Sequence, residues 1–256
     1  MADYQPRQDL LEGRTVLVAG AGDGIGRAVA LALARHRATV ILLGRTIRKL
    51  ERVYDEIEAA GAPQPAIYPM NLEGATPKDY EDLANVIGTK FGALHGLVHM
   101  AAELGDMRPL AHYDPMTWLK VLHVNLTAPF LLTQACLGNL REAPAAAVVF
   151  SHDSVADRGR AYWGAYGVSK GGALTLMKIL AEELESNTAV RVAAVDPGPV
   201  RTSLRLQAYP AEEREALASP EQVVWPYLYL VGEDCGWLNG QVLRPGDPLP
   251  VPPGRG

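Results

Sequence analysis

The sequence predicts an α/β fold, doubly wound, with a parallel sheet flanked by helices on both faces. Short apolar β-like runs alternate with segments of helical period along most of the 256 residues. A glycine cluster separates the first such run from the first helical one, and no low-complexity break divides the chain. Alternation of this kind implies right-handed crossovers between parallel strands. One domain over 1–256 is expected, with an extended leader at 1–12 and an extended, Pro- and Gly-rich tail at 245–256.

The elements follow in order. Strands are predicted at 15–19, 39–43, 66–69, 96–100, 147–151 and 190–196. Helices are predicted at 27–35, 48–59, 79–91, 116–140 and 165–185, the fourth interrupted by Pro129. Proline has no N–H and crowds the carbonyl four residues back, here that of Asn125, so a bend is expected there.

Composition narrows the function. Hydrophobic residues make up 48% and charged residues 21%, which is ordinary for a folded globule and argues against extensive disorder. The formal net charge of -5 offers no electrostatic attraction to nucleic acid or an anionic membrane, so neither is an expected partner. Apolar runs such as 28–34 fall short of a membrane span, and the N-terminal residues lack the basic and apolar regions of a signal peptide. Cys136 and Cys235 are far apart, which fits reduced thiols in a cytoplasmic setting. The six histidines show no ligand pair on a helix, so no metal is expected.

The motif Gly20-Ala21-Gly22-Asp23-Gly24-Ile25-Gly26 lies between a strand and a helix. In that context glycines let the backbone approach a pyrophosphate, and the helix N-terminus directs N–H groups at the charge. Arg45 follows about 20 residues on, where an acid would bind a ribose 2′-OH and an arginine suits a 2′-phosphate. Guanidinium pairs with phosphate, so NADP(H) is the expected cofactor, with Arg48 a possible assistant.

Tyr166-Gly167-Val168-Ser169-Lys170 puts a phenol and an amine on one helix face. A free phenol titrates near pH ~10 and is a poor base at neutrality. A neighbouring ammonium is expected to lower that value, so that Tyr166 exchanges a proton with a carbonyl or alcohol oxygen during hydride transfer.

Taken together, the glycine turn, Asn125, a serine ahead of Tyr166, the Tyr–Lys pair and Pro197-Gly198 followed by Thr202 resemble the short-chain dehydrogenase/reductase family. The stretch from Gly159 to Tyr166 resembles the bacterial YciK-type branch. The resemblance implies a Rossmann domain and a small-molecule carbonyl or alcohol substrate. It implies assembly as a homodimer or homotetramer through the helices bearing Asn125 and Tyr166. It makes Tyr166 the general acid/base, Lys170 the ribose-holding cation, and Asn125 the holder of a water that relays protons to Lys170. It places Asn71, Leu72 and Ala101 at the adenosine, and Pro197, Gly198, Val200 and Thr202 at the nicotinamide.

The substrate-binding serine is assigned to Ser154. The family's usual position falls on Asp153, whose carboxylate would repel a developing alkoxide, so a loop shorter by one residue is expected. The segment from His99 to Ala102 and Ala19 depart from the family pattern, and His99 is expected to be a core histidine with a satisfied ring. Arg205, Leu206 and Tyr209 either meet substrate or pack. The alternative to an active enzyme is a catalytically weak sensor or scaffold of the same fold that binds nucleotide.

Overall fold

The computed structural model describes residues 4–250. Its elements run β1 (Thr15–Ala19), α1 (Gly24–Arg35), β2 (Thr39–Gly44), α2 (Ile47–Ala59), β3 (Ala66–Pro69), α3 (Pro77–Phe91), β4 (Gly96–His99) and α4 (Pro115–Leu122). They continue α5 (Ala128–Arg141), β5 (Ala146–Ser151), α6 (Val155–Arg158), α7 (Gly164–Glu185), β6 (Val190–Val195), α8 (Ser203–Ala208), α9 (Trp225–Val231) and β7 (Val242–Leu243). The sheet has seven strands in the order β3-β2-β1-β4-β5-β6-β7, and every pairing is parallel. This is the doubly wound Rossmann arrangement the alternation predicts.

Strand period places the two cores. Val16 and Val18 of β1 join Val40, Leu42 and Val149 in a core under α1, α2 and α9. Leu17 and Ala19 point the other way and join Ile41, Leu43 and Val148 against α3, α5 and α7. Successive side chains on a strand face opposite sides, so strands buried on both faces read as continuous apolar runs. Chain order reverses between β1 and β4, and ligands of such sheets bind at the carboxyl ends beside that point.

Two expectations are corrected, those for the leader and for the length of the apolar runs. The leader is not extended: it turns, and Leu10 and Leu11 are buried against the sheet, with Leu11 N–H donating to His36 C=O at 2.9 Å. Two leucines gain more from that core than from water. The described part of the tail is tied down by Trp225, whose Nε1–H donates to Pro245 C=O at 3.2 Å; positions 251–256 lie outside the described residues. The run Pro115–Arg141 is long and apolar enough to cross a membrane by length and composition. Core helices meet the same criterion, and Ala128, Leu132, Cys136 and Leu140 are buried here against the sheet.

The helix predicted over 116–140 is divided. Residues His123–Thr127 form a π-helical turn between α4 and α5, and Ala128 N–H donates to His123 C=O. Pro129 follows directly and has no N–H to return to Asn125, so the wider turn absorbs the defect.

Candidate active site

The carboxyl ends of β1, β4, β5 and β6 open into a cleft of about 360 Å³. At one end is the turn after β1. Gly20 has φ +94°, and a Cβ there would lie 2.5 Å from Ala101 N. A Cβ on Gly26 would lie 2.1 Å from Gly20 O, so its absence lets α1 start against the turn. Asp23 caps that helix: its carboxylate accepts Gly24 N–H at 2.8 Å and Lys49 Nζ–H at 2.5 Å. The Lys49 hydrogen bond is the main influence holding the Asp23 carboxyl below its ordinary range.

Gly20, Gly22, Asp23, Gly24, Ile25 and Gly26 all line this end, as do Arg45, Asn71, Leu72 and Ala101. Arg45 is exposed, and its guanidinium stands 3.7 Å from the Glu103 carboxylate. Lys49 also lines the cleft, whereas Arg48 does not. Sequence reasoning passed over Lys49. Its signal was its place in the first turn of α2, which faces the glycines.

Tyr166 and Lys170 line the other end, and Pro197, Gly198, Val200 and Thr202 form its far wall. The Thr202 hydroxyl caps α8 by accepting Arg205 N–H at 3.1 Å. Lys170 Nζ donates to Ser151 C=O at 2.7 Å and sits 5.7 Å from the centroid of the Tyr166 ring. Burial pushes the Lys170 ammonium down to about 8, against the opposing pull of the Asp153 and Asp196 carboxylates.

Tyr166 departs from expectation. Its pKa is raised, chiefly by burial and further by the charge and hydrogen bond of Asp153. Desolvation disfavours phenolate, and a carboxylate accepting the hydroxyl proton acts in the same direction. The hydroxyl donates to Asp153 Oδ2 at 3.2 Å.

Asp153 therefore holds the place assigned to Ser154. Ser154 is exposed, stands just before α6 at its N-cap and is not among the residues lining the cleft; Asp153 is. The loop is not shorter by one residue. Asp153 Oδ1 accepts Val155 N–H at 2.9 Å, which turns the chain into α6 and leaves Oδ2 toward Tyr166.

Asn125 is buried beside the cleft without lining it. Its Nδ2–H groups reach Glu103 C=O and Ser169 Oγ at 2.8 and 3.0 Å, and its Oδ1 accepts Glu103 N–H at 2.7 Å. His99 is a core residue: Nε2 lies 2.9 Å from Thr133 Oγ1, the ring packs on Phe150, and burial holds the imidazole down at about 3.

A small apolar cluster closes over Tyr166. Leu104 and Trp163 are buried with it, and Leu204, Ala208 and Tyr209 pack against them from α8 and the residue after it. Arg160 donates to the Tyr209 hydroxyl at 2.6 Å, and the Arg205 guanidinium stacks 3.9 Å from the Tyr209 ring centre. Arg205 lines the cleft; Leu206 and Tyr209 do not.

A nicotinamide dinucleotide fits these residues. The two glycine positions where a Cβ would strike backbone let a pyrophosphate approach the main chain, and α1 begins there, its first N–H taken by Asp23 and the positive end of its dipole directed at the turn.

Fold and cleft together define a nicotinamide-dependent oxidoreductase architecture. The short chain dehydrogenase family profile matches residues 14–213, and the chain belongs to that family, within its YciK-type branch. It is 41% identical over 245 residues to the uncharacterized oxidoreductase YciK of Escherichia coli K12, covering 95% of this chain and 96% of the relative. A short chain dehydrogenase from Salmonella enterica serovar Typhi superposes with a TM-score of 0.93 at 40% identity, covering 95% of this chain and all (100%) of that one. A chain from Escherichia coli CFT073, solved in complex with NADPH, superposes with a TM-score of 0.90 at 40% identity, over 94% of this chain and 100% of the other.

Proposed function

We propose that the chain is an NADP(H)-dependent oxidoreductase that reduces a polarised double bond of a small molecule, or oxidises the product, with Tyr166 as general acid/base. The carrying observation is that the Tyr166 hydroxyl and the Lys170 ammonium share one cleft with the glycine turn. When bound, the reduced nicotinamide supplies a hydride. The carbonyl/alcohol pair is the class implied by the family.

Burial and Asp153 keep Tyr166 in its protonated, donating form and make it a weaker acid than a free phenol, so donation is coupled to the strong proton demand of the reduced substrate. Lys170 commits one of its three donors to Ser151 C=O, leaving two for ribose hydroxyls. The Asn125 side chain is fully engaged by Glu103 and Ser169, so its part in a proton relay falls to its main-chain carbonyl, which Pro129 cannot satisfy. Arg45 and Lys49 supply the two cations for a 2′-phosphate. The relative solved with NADPH supports this choice.

Self-association as a dimer or tetramer is part of the proposal, supported by exposed Met116, Leu119 and Phe130 on α4 and α5 and by Val168 and Ile179 on α7.

The test is a fluorescence titration with NADPH and NADH, followed by NADPH oxidation on a substrate panel. NADPH binds more tightly than NADH, and Arg45→Ser with Lys49→Ala removes the difference. Tyr166→Phe retains NADPH binding and loses turnover by roughly 10²-fold or more. NADPH bound but oxidised by no substrate points instead to the sensor or scaffold.

A further inference from the structure

We infer that Asp153 sets the substrate class: the carboxylate beside Tyr166 suits a carbon–nitrogen double bond, bound as its iminium cation, over a ketone. The inference rests on the redox reading above and narrows it.

Asp153 lines the cleft, and both of its hydrogen bonds are donated to it, by the Tyr166 hydroxyl and by Val155 N–H. It acts there as an acceptor. Neither cation at this end hydrogen-bonds Asp153: Lys170 Nζ donates to Ser151 C=O and keeps its other donors for ribose, and Arg205 forms two hydrogen bonds to Glu212 at 2.6 and 2.5 Å. Asp196, the second carboxylate on this wall, is paired with Arg244 at 3.3 Å and accepts Gly198 N–H at 3.1 Å. Of the two carboxylates, Asp153 is the one that touches the Tyr166 hydroxyl, and Asp196 is the one held in an ion pair.

Ketone reduction concentrates negative charge on oxygen. Asp153 would repel that charge, and it already holds the hydroxyl proton the oxygen needs. An imine behaves oppositely. Its neutral form accepts hydride poorly, and a carboxylate within hydrogen-bond reach favours the protonated form. Tyr166 supplies the proton that turns the neutral imine into the iminium, and the hydride step then balances: the iminium carbon gains the hydride, the C=N π pair becomes the nitrogen lone pair, and a neutral amine results as reduced nicotinamide is oxidised by two electrons. Leu204 presents an apolar wall for the hydrocarbon part of such a substrate.

The experiment compares the native protein with Asp153→Asn and Asp153→Ser. Asparagine keeps an acceptor for Val155 N–H, and thermal melting verifies that each variant folds. Binding of piperidine and cyclohexanol, with and without NADPH, is read by tryptophan fluorescence, since Trp163 lies 5.5 Å from the Tyr166 ring. The native protein is expected to prefer piperidine, and Asp153→Asn to weaken piperidine about tenfold without changing cyclohexanol. In NADPH oxidation the native protein is expected to favour 2-methyl-1-pyrroline over cyclohexanone, and Asp153→Ser to reverse the order. Equal piperidine affinity in native and Asp153→Asn protein, or a native preference for the ketone, overturns the inference and leaves the redox reading standing. Bound NADPH that neither compound oxidises counts against the redox reading, and the binding comparison still decides the role of Asp153.

Discussion

The Asn125 carboxamide grips the Glu103 backbone from both sides, donating to its carbonyl at 2.8 Å and accepting its N–H at 2.7 Å. The Glu103 side chain extends the other way, to 3.7 Å from the Arg45 guanidinium and 3.9 Å from Lys120. The loop after β4 is thereby pinned between the two ends of the cleft. Asn125→Ala leaves the half-buried Glu103 N–H and C=O without their side-chain partner, while Ser169 Oγ keeps its bond to Tyr166 C=O, and is expected to destabilise by about 2 kcal/mol. Urea unfolding of the native and variant proteins measures this. A change under about 0.5 kcal/mol would show that the grip carries no stability.

Gly20 and Gly13 make a matched pair. Both have positive φ, +94° and +73°, but a Cβ on Gly20 would strike Ala101 N at 2.5 Å while one on Gly13 would meet nothing within 4 Å. Gly13→Ala is expected to cost about 1 kcal/mol through backbone strain alone. Gly20→Ala adds a backbone clash and is expected to exceed it by at least ~2 kcal/mol, with loss of NADPH binding. Thermal denaturation and NADPH titration compare the two; equal destabilisation would remove the role given to the close approach.

The buried Lys170 ammonium titrates at about 8 rather than 10.5. Above that pH the native protein loses the charge proposed to hold the ribose, so kcat/KM is expected to fall as pH rises through about 8. Stability has the opposite sign. The unfolded chain keeps this proton up to about 10.5 and the native chain releases it near 8, so the lysine's burial penalty shrinks as pH rises across that window. Subtracting the stability profile of Lys170→Met from the native one isolates the contribution. A kcat/KM profile flat from pH 7 to 9 would rule out the ammonium as the binding form.

His99 gives an acid-side counterpart. Burial lowers its imidazole from 6.5 to about 3, so between these values the unfolded chain binds a proton that the native chain refuses. Stability is therefore expected to decline as pH falls from 6.5 toward 3. His99→Asn, without a titrating ring, is expected to show a shallower decline in melting temperature over the same range. Parallel curves would mean that other groups govern acid unfolding.

Much of this architecture was legible from residue order. The strands at 15–19 and 66–69 were predicted with their observed bounds, and most other predicted elements fell within a few residues of theirs, because apolar runs broken by helical period leave few alternatives. The glycine turn was legible for a related reason: its meaning depends on a strand before and a helix after it. Helix α9 was missed, since Pro226 to Val231 are buried all round and show no amphipathic period. Strand β7 was missed because two residues carry no pattern. The exchange of Asp153 for Ser154 escaped for a different reason. Which of two adjacent loop residues faces a cleft depends on one backbone hydrogen bond, here Val155 N–H to Asp153, and residue type alone does not report it.

The core beneath α1 and α2 has a consequence for the order of assembly. Leu10 and Leu11 share it with Tyr227, Leu228 and Leu230 of α9, and Arg14 donates to Val231 C=O at 3.3 Å. A nascent chain emerging N-terminus first therefore carries an unfinished apolar flank through most of its synthesis. That flank is sealed only when the late-made helix arrives, which makes ribosome-stalled or truncated products lacking α9 natural clients for holdase chaperones.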